Sequence, residues 1–184
     1  MQKLLVIIGR GGVGKDTLCN ELEQYGIHKL VSYTTRPKRS NETDGKEYYF
    51  ISDELFNKMT TDKMFTEIET FNTKLGVFKY GSILDEKLPN KTYSCIRTEK
   101  GLFALQSYVK GHNLDIEVIP VRLYVDNKTW LRRIESRIQM YTNDNEMLEI
   151  ARRIISDITD YPNGEFSNYD CKALAQLLIN RYNL

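Results

Sequence analysis

Two kinds of apolar run follow one another along the chain, and their order sets the first expectation about the fold. Residues 3–8 form a short β-branched, apolar run that ends in glycines and leads into a helix-like stretch, 17–24, with Leu18 and Leu22 four apart. Strand, loop and helix are predicted in that order. Apolar strands return at 93–96 and 116–125, on either side of a helix predicted over 100–109. Such alternation is the pattern of an α/β fold with a parallel-sheet core.

The rhythm is interrupted between 32 and 82 by a polar, tyrosine-rich stretch, read as an insertion over the sheet. It holds Arg-Pro-Lys-Arg at 36–39, a Thr-Asp-Gly turn at 43–45 and a strand-like run at 47–51. From Lys128 onward Trp130, Ile134, Ile138 and Tyr141 fall near helical spacing. The polar residues 142–145 break that spacing, and Met147, Ile150, Ile154 and Ile158 restart it. Two helices with an arginine-rich hinge are predicted there. A last helix, 171–182, carries Leu174, Leu177, Leu178 and Arg181 and is expected to pack on the sheet. No internal repeat is visible.

Composition narrows the picture without redirecting it. A chain of 184 residues with 41% hydrophobic residues suits one soluble domain. With 26 Lys and Arg against 25 Asp and Glu, the net charge of +1 supplies no bulk attraction to nucleic acid or to membranes. The expected partners are small molecules bound by local anion recognition. The first apolar run is too short for a signal segment and no long one follows, so a cytoplasmic protein is expected. Cys19, Cys95 and Cys171 are far apart and lack metal-ligand spacing, which predicts reduced thiols used in packing. His28 and His112 stand apart from any carboxylate or cysteine cluster and are given no role.

The chemistry begins at residues 9–17, Gly-Arg-Gly-Gly-Val-Gly-Lys-Asp-Thr, which match G-x-x-x-x-G-K after a predicted strand and before a predicted helix. Glycines let successive backbone N–H groups curl around phosphate oxygens, and the helix N-terminus adds partial positive charge. The predicted triphosphate cradle is Gly9, Gly11, Gly12, Val13, Gly14, Lys15, Asp16 and Thr17, with Lys15 reaching the β- and γ-phosphates. Asp16 stands where Ser or Thr usually offers a hydroxyl to magnesium. It is the candidate metal residue, either holding Mg²⁺ through a water or, by repelling the triphosphate, making binding strictly dependent on the ion.

The segment Ser32-Tyr33-Thr34-Thr35-Arg36-Pro37-Lys38-Arg39, followed by Glu42-Thr43-Asp44-Gly45-Lys46-Glu47-Tyr48-Tyr49-Phe50, resembles the acceptor-binding stretch of guanylate kinases. The likeness extends to Phe65-Thr66-Glu67 and to Lys79-Tyr80-Gly81-Ser82, so that about the first half of the chain follows the family's order. The resemblance implies a P-loop kinase fold. Its parts would be a core (1–31, 91–132, 155–184), an acceptor-binding insertion (32–90) and a helical lid (133–154). It also implies ATP as donor, Mg²⁺ as cofactor, and GMP or dGMP as acceptor.

Under that resemblance Arg36 and Arg39 offer forked donors to a phosphate dianion, and Tyr48 and Tyr80 offer hydroxyls. Glu67 would accept two parallel hydrogen bonds from guanine, with Ser32 and Ser82 completing the base contacts. Arg137 and Arg153 align best with lid arginines that approach the transferring phosphoryl group, and Arg132, Arg133 and Arg152 are near enough in sequence to be the alternatives. Two departures stand out. Residues 72–79 read as a loop longer than the family's, and the strand ending at 96 leaves Glu99 as the acidic residue where aspartates are usual. Two other readings are weighed beside the kinase. One is a related P-loop kinase acting on a phosphorylated sugar such as ribose 1,5-bisphosphate, suggested by the Asp after the loop lysine. The other is a non-catalytic guanylate-kinase-like binding module, suggested by the altered carboxylate strand.

Overall fold

The computed structural model describes residues 1–73, 75–84, 91–139 and 165–184, with 137–139 described by their backbone alone. The chain opens with β1 (Gln2–Ile8), α1 (Lys15–Glu23), β2 (His28–Lys29), β3 (Tyr33–Thr34), β4 (Tyr49–Phe50), α2 (Asp53–Thr61), β5 (Glu67–Thr73) and β6 (Gly76–Ser82). It continues through β7 (Thr92–Ile96), α3 (Glu99–Gly111), β8 (Ile116–Tyr124), α4 (Asn127–Gln139), β9 (Phe166–Ser167) and α5 (Cys171–Tyr182).

The core sheet is parallel throughout, in the order β2-β7-β1-β8-β9. β1 lies at its centre and is buried on both faces, which is why its sequence is a continuous apolar run and not an alternating one. Leu5 and Ile7 face one side with Leu18 and Leu22 of α1, Trp130 and Ile134 of α4, and Leu174 and Leu178 of α5. Leu4, Val6 and Ile8 face the other with Leu102, Leu105 and Val109 of α3. Each fully buried Leu or Ile contributes about 1.5–3 kcal/mol to this two-sided core. Leu177 points away from it and is exposed. Cys19 and Cys95 are buried packing residues, and burial pushes the Cys19 thiol up to about 12.

The insertion builds its own four-stranded sheet, β4-β3-β6-β5, in which β3 and β5 run antiparallel to β6. The stretch expected as a long loop is instead a hairpin: Asn72 pairs with Val77, and Thr73 pairs with Gly76. The turn holds because Gly76 takes a left-handed φ of 137° while Thr73 Oγ1 donates to the Gly76 carbonyl. The strand expected over 47–51 shrinks to β4. The Asp44 carboxylate takes the Phe50 N–H and the Glu47 carboxylate takes the Thr43 N–H, so local side-chain bonds compete with the ladder.

α2 was not foreseen from the sequence. Ser52 caps it by accepting from the Leu55 N–H, and Phe56 stacks on Phe65 with ring centroids 4.6 Å apart. Phe65 in turn requires Gly81, since a Cβ there would lie 2.7 Å from the ring. α1 begins at Lys15, two residues earlier than predicted, because Gly14 turns the chain at φ 100° and serves as its N-cap. No helix among the described residues is long and apolar enough to cross a membrane.

Candidate functional site

The glycine loop joins the C-terminal end of β1 to the first turn of α1, where parallel-sheet folds collect their ligands. Two of its glycines are required by their surroundings. A Cβ on Gly12 (φ 82°) would lie 2.5 Å from Ile134 Cδ1, and one on Gly14 (φ 100°) would lie 2.5 Å from Asn168 Nδ2. Neighbouring elements engage the loop carbonyls, which would otherwise repel a phosphate. Trp130 Nε1 donates to the Gly11 carbonyl at 2.7 Å, while Arg133 and Asn168 both donate to that of Val13 at 2.9 Å. The Lys15 ammonium bonds the carbonyls of Gly9 and Arg10 at 2.7 and 3.1 Å, so it lies along the loop.

Asp16, the residue expected to serve a metal, lies in the first turn of α1 with its side chain 65% exposed. Its Oδ1 accepts from Lys29 Nζ at 2.8 Å. Among the described residues no group of three or more His, Cys, Asp or Glu gathers to hold a metal ion.

A cleft of about 970 Å³ runs from this loop to the insertion. At one end it is lined by Gly11, Gly12, Gly14, Lys15, Asp16 and Thr17, and at the other by Ser32, Arg36, Arg39, Tyr48 and Tyr80. Glu42 organises the second group. Its carboxylate receives both terminal nitrogens of Arg36 at 2.8 and 3.0 Å and the backbone N–H of Arg39 at 2.9 Å. Burial is the largest single influence on Glu42 and pushes its carboxyl up, but the Arg36 fork, the Arg39 N–H and both guanidinium charges together outweigh it and hold it below the usual range.

Glu67 and Ser82 lie behind the cleft and are not among its described lining. Ser82 Oγ donates to Glu67 Oε1 at 3.1 Å and lies 3.2 Å from Ser32 Oγ, so the three residues expected at the base do come together. A fourth joins them unforeseen. Arg97 Nε lies 2.6 Å from Glu67 Oε1, its Nη1 donates to Ser32 Oγ, and both members of the pair are only 7% exposed. Glu67 Oε2 is buried without a hydrogen-bond partner. It packs on Gly101, where a Cβ would lie 2.5 Å from it. Burial pushes the Glu67 carboxyl above its ordinary value despite Arg97 and Ser82, which pull it down.

Glu99 stands apart from this arrangement. It forks with Arg122 at 2.7 and 3.0 Å and is not among the described lining of the cleft, where Ile96 ends β7. Of the two predicted lid arginines, Arg137 belongs to α4 with its side chain outside the described residues, and Arg153 lies outside them altogether. Arg133, an alternative in the register of the lid arginines, binds the glycine loop and the Asn168 carbonyl and lines the cleft. Lys29 shows in the sequence only as a charge beside His28, between Ile27 and Leu30. Asn168, in a segment with no motif, offered no signal.

Known sequences and a known fold resemble this chain over different spans. The guanylate kinase family model matches residues 1–86. The guanylate kinase of Symbiobacterium thermophilum is 50% identical over 66 residues, 35% of this chain and 31% of that protein. That of Blochmanniella floridana is 43% identical over 79 residues, 40% of this chain and 38% of that protein. The matched stretch thus spans about a third of the length of these curated relatives. A crystal structure of guanylate kinase from Anaplasma phagocytophilum superposes on 99% of this chain and 85% of its own, with a TM-score of 0.64 and 22% identity. Residues 1–86 of the chain therefore match the guanylate kinase family model, and the described residues take the fold of that guanylate kinase structure.

Proposed function

We propose that the protein transfers the terminal phosphoryl group of ATP to GMP or dGMP, giving ADP and the nucleoside diphosphate. The observation that carries this reading is a cleft with a glycine phosphate loop at one end and the Arg36, Arg39, Tyr48 and Tyr80 cluster at the other. Two anion-binding ends on one cleft suit two nucleotides meeting phosphate to phosphate.

In the transfer, an oxygen of the acceptor phosphate forms a bond to the γ-phosphorus as the bond to the β–γ bridging oxygen breaks. A phosphate nucleophile is already ionised, so the residues need only align the reactants and neutralise spreading charge. Gly11, Gly12 and Gly14 cradle the triphosphate through their backbone, and Lys15 swings from the Gly9 and Arg10 carbonyls to its β- and γ-oxygens. Arg36 and Arg39, held in register by Glu42, grip the acceptor phosphate. Arg133, tied to the Val13 carbonyl, stiffens the loop from behind.

Magnesium fits this donor set only as an ion carried chiefly by phosphate oxygens and water, since the described residues gather no carboxylate cage. Asp16 would meet it through water, and the bound ion supplies charge neutralisation at the triphosphate.

Guanine recognition is assigned to Glu67, with Ser32 and Ser82 beside it and Arg97 steadying the carboxylate. The test is a coupled assay with ATP, Mg²⁺ and GMP. Lys15→Ala is expected to lose at least a hundredfold in kcat with its fold intact. GMP turnover by Lys15→Ala equal to that of the wild type would remove this loop from the reaction and defeat the proposal.

A further inference from the structure

Lys29 is a buried cation that neither the glycine loop nor the acceptor cluster accounts for. It sits on β2, at the edge of the core sheet and in register with Ser94. Its side chain is 9% exposed, whereas that of its partner Asp16 is 65% exposed. Its Nζ donates to Asp16 Oδ1 at 2.8 Å and lies 3.5 Å from the Lys46 carbonyl. One contact belongs to the first turn of α1 and the other to the acceptor segment. Lys29 lines the cleft between them, with Tyr48 close enough to feel its charge.

Pairing with Asp16 does not explain this burial. An ammonium is strongly hydrated, and drawing it out of water is unfavourable unless its partners offset the loss. A lysine reaching Asp16 from solvent would make the same exposed pair without that loss. What burial adds is position, because a rigid cation now stands where the phosphate ends of two nucleotides would meet.

We propose that Lys29 is a phosphate-binding residue that spans the donor and acceptor ends of the cleft, with Asp16 as its resting partner. On this account Asp16 and Lys29 form one unit. The carboxylate after Lys15 would repel a triphosphate, and Lys29 cancels that charge at rest, then turns its ammonium to the phosphate oxygens while Asp16 is released toward water or the nucleotide's metal. The inference rests on the kinase reading for the identity of the substrates, and on the cleft alone for phosphate binding.

The experiment is calorimetric titration of inorganic tripolyphosphate into the wild type, Lys29→Gln, Lys29→Arg, Asp16→Asn and the Asp16→Asn/Lys29→Gln double variant, alongside GMP turnover. Lys29→Gln is expected to weaken tripolyphosphate binding at least tenfold, Lys29→Arg to stay within about fivefold of wild type, and the double variant to remain at least tenfold weakened. If Lys29 does no more than neutralise Asp16, the double variant returns to within threefold of wild type, and the proposal falls. Should Lys29→Gln not fold, the Lys29→Arg titration still decides: binding weakened no more by 1 M salt than that of a Lys15→Ala control would count against a phosphate contact. Absent GMP turnover with the tripolyphosphate pattern intact would overturn the acceptor assignment and leave Lys29 standing.

Discussion

Substituting Glu67→Gln should destabilise the protein severely, well beyond the loss of one hydrogen bond. The carboxylate and the Arg97 guanidinium lie 2.6 Å apart with both side chains 7% exposed. Removing the negative charge leaves the guanidinium buried without its counterion, and an arginine cannot escape by losing its proton. Breaking one member of a buried pair costs about 3–5 kcal/mol. Arg97 keeps its bonds to Ser32 Oγ and the Ile96 carbonyl, which favours the lower end, about 3 kcal/mol. At about 2–4 °C per kcal/mol for a chain of this size, the melting temperature falls by roughly 6–12 °C.

Arg97→Met behaves differently because Glu67 can take up a proton. Its carboxyl is already raised by burial, and without Arg97 it rises further, so the neutral form is reached as pH falls. The loss caused by Arg97→Met should therefore shrink between pH 7.5 and pH 5, while that of Glu67→Gln should not. The double variant, with no buried charge, should recover most of the stability lost in either single variant. Urea denaturation followed by circular dichroism reads all of this as shifts in midpoint at constant slope. Losses below about 1 kcal/mol in both single variants, or a double variant that shows their sum, would refute a buried, coupled pair.

Two further outcomes follow from the site. Gly12→Ala places a methyl 2.5 Å from Ile134 Cδ1 on a backbone at φ 82°, and should weaken ATP binding at least tenfold by calorimetry while leaving the acceptor cluster intact. The Glu42 carboxyl is held below its ordinary value of 4.5, so the native state binds its proton less readily than the unfolded chain. The stability this contributes is present above about pH 4.5 and is lost as pH falls through the lowered value. Acid denaturation of Glu42→Gln should lack that part of the wild-type decline.

Much of the core was legible because its signals are local. The apolar run of β1, the glycine loop and the 3.6-residue spacing of Leu174 and Leu178 each report a structure formed within a few residues. The acceptor residues were legible through ordered motifs, and Ser32, Glu67 and Ser82 do meet although they are distant in sequence. The rest depended on packing across the chain. Nothing near Glu42 announces that it will hold Arg36 and Arg39, and nothing near Arg97 announces Glu67 on β5 as its partner. Asp16 read as a metal residue from its position in the loop, but the charge that meets it comes from β2, 13 residues later in sequence. The hairpin of β5 and β6 was harder to see because its turn is set by Gly76 and Thr73 and not by an Asn-Gly or Asp-Gly pair.

The most direct measurement of the account is turnover of equal concentrations of GMP, AMP and ribose 1,5-bisphosphate by the wild-type chain with ATP and Mg²⁺, read as kcat/KM for each acceptor. Phosphorylation of GMP at least a hundredfold more efficient than that of AMP or the sugar is the expected result. Equal use of GMP and AMP, or preference for the sugar phosphate, would contradict it.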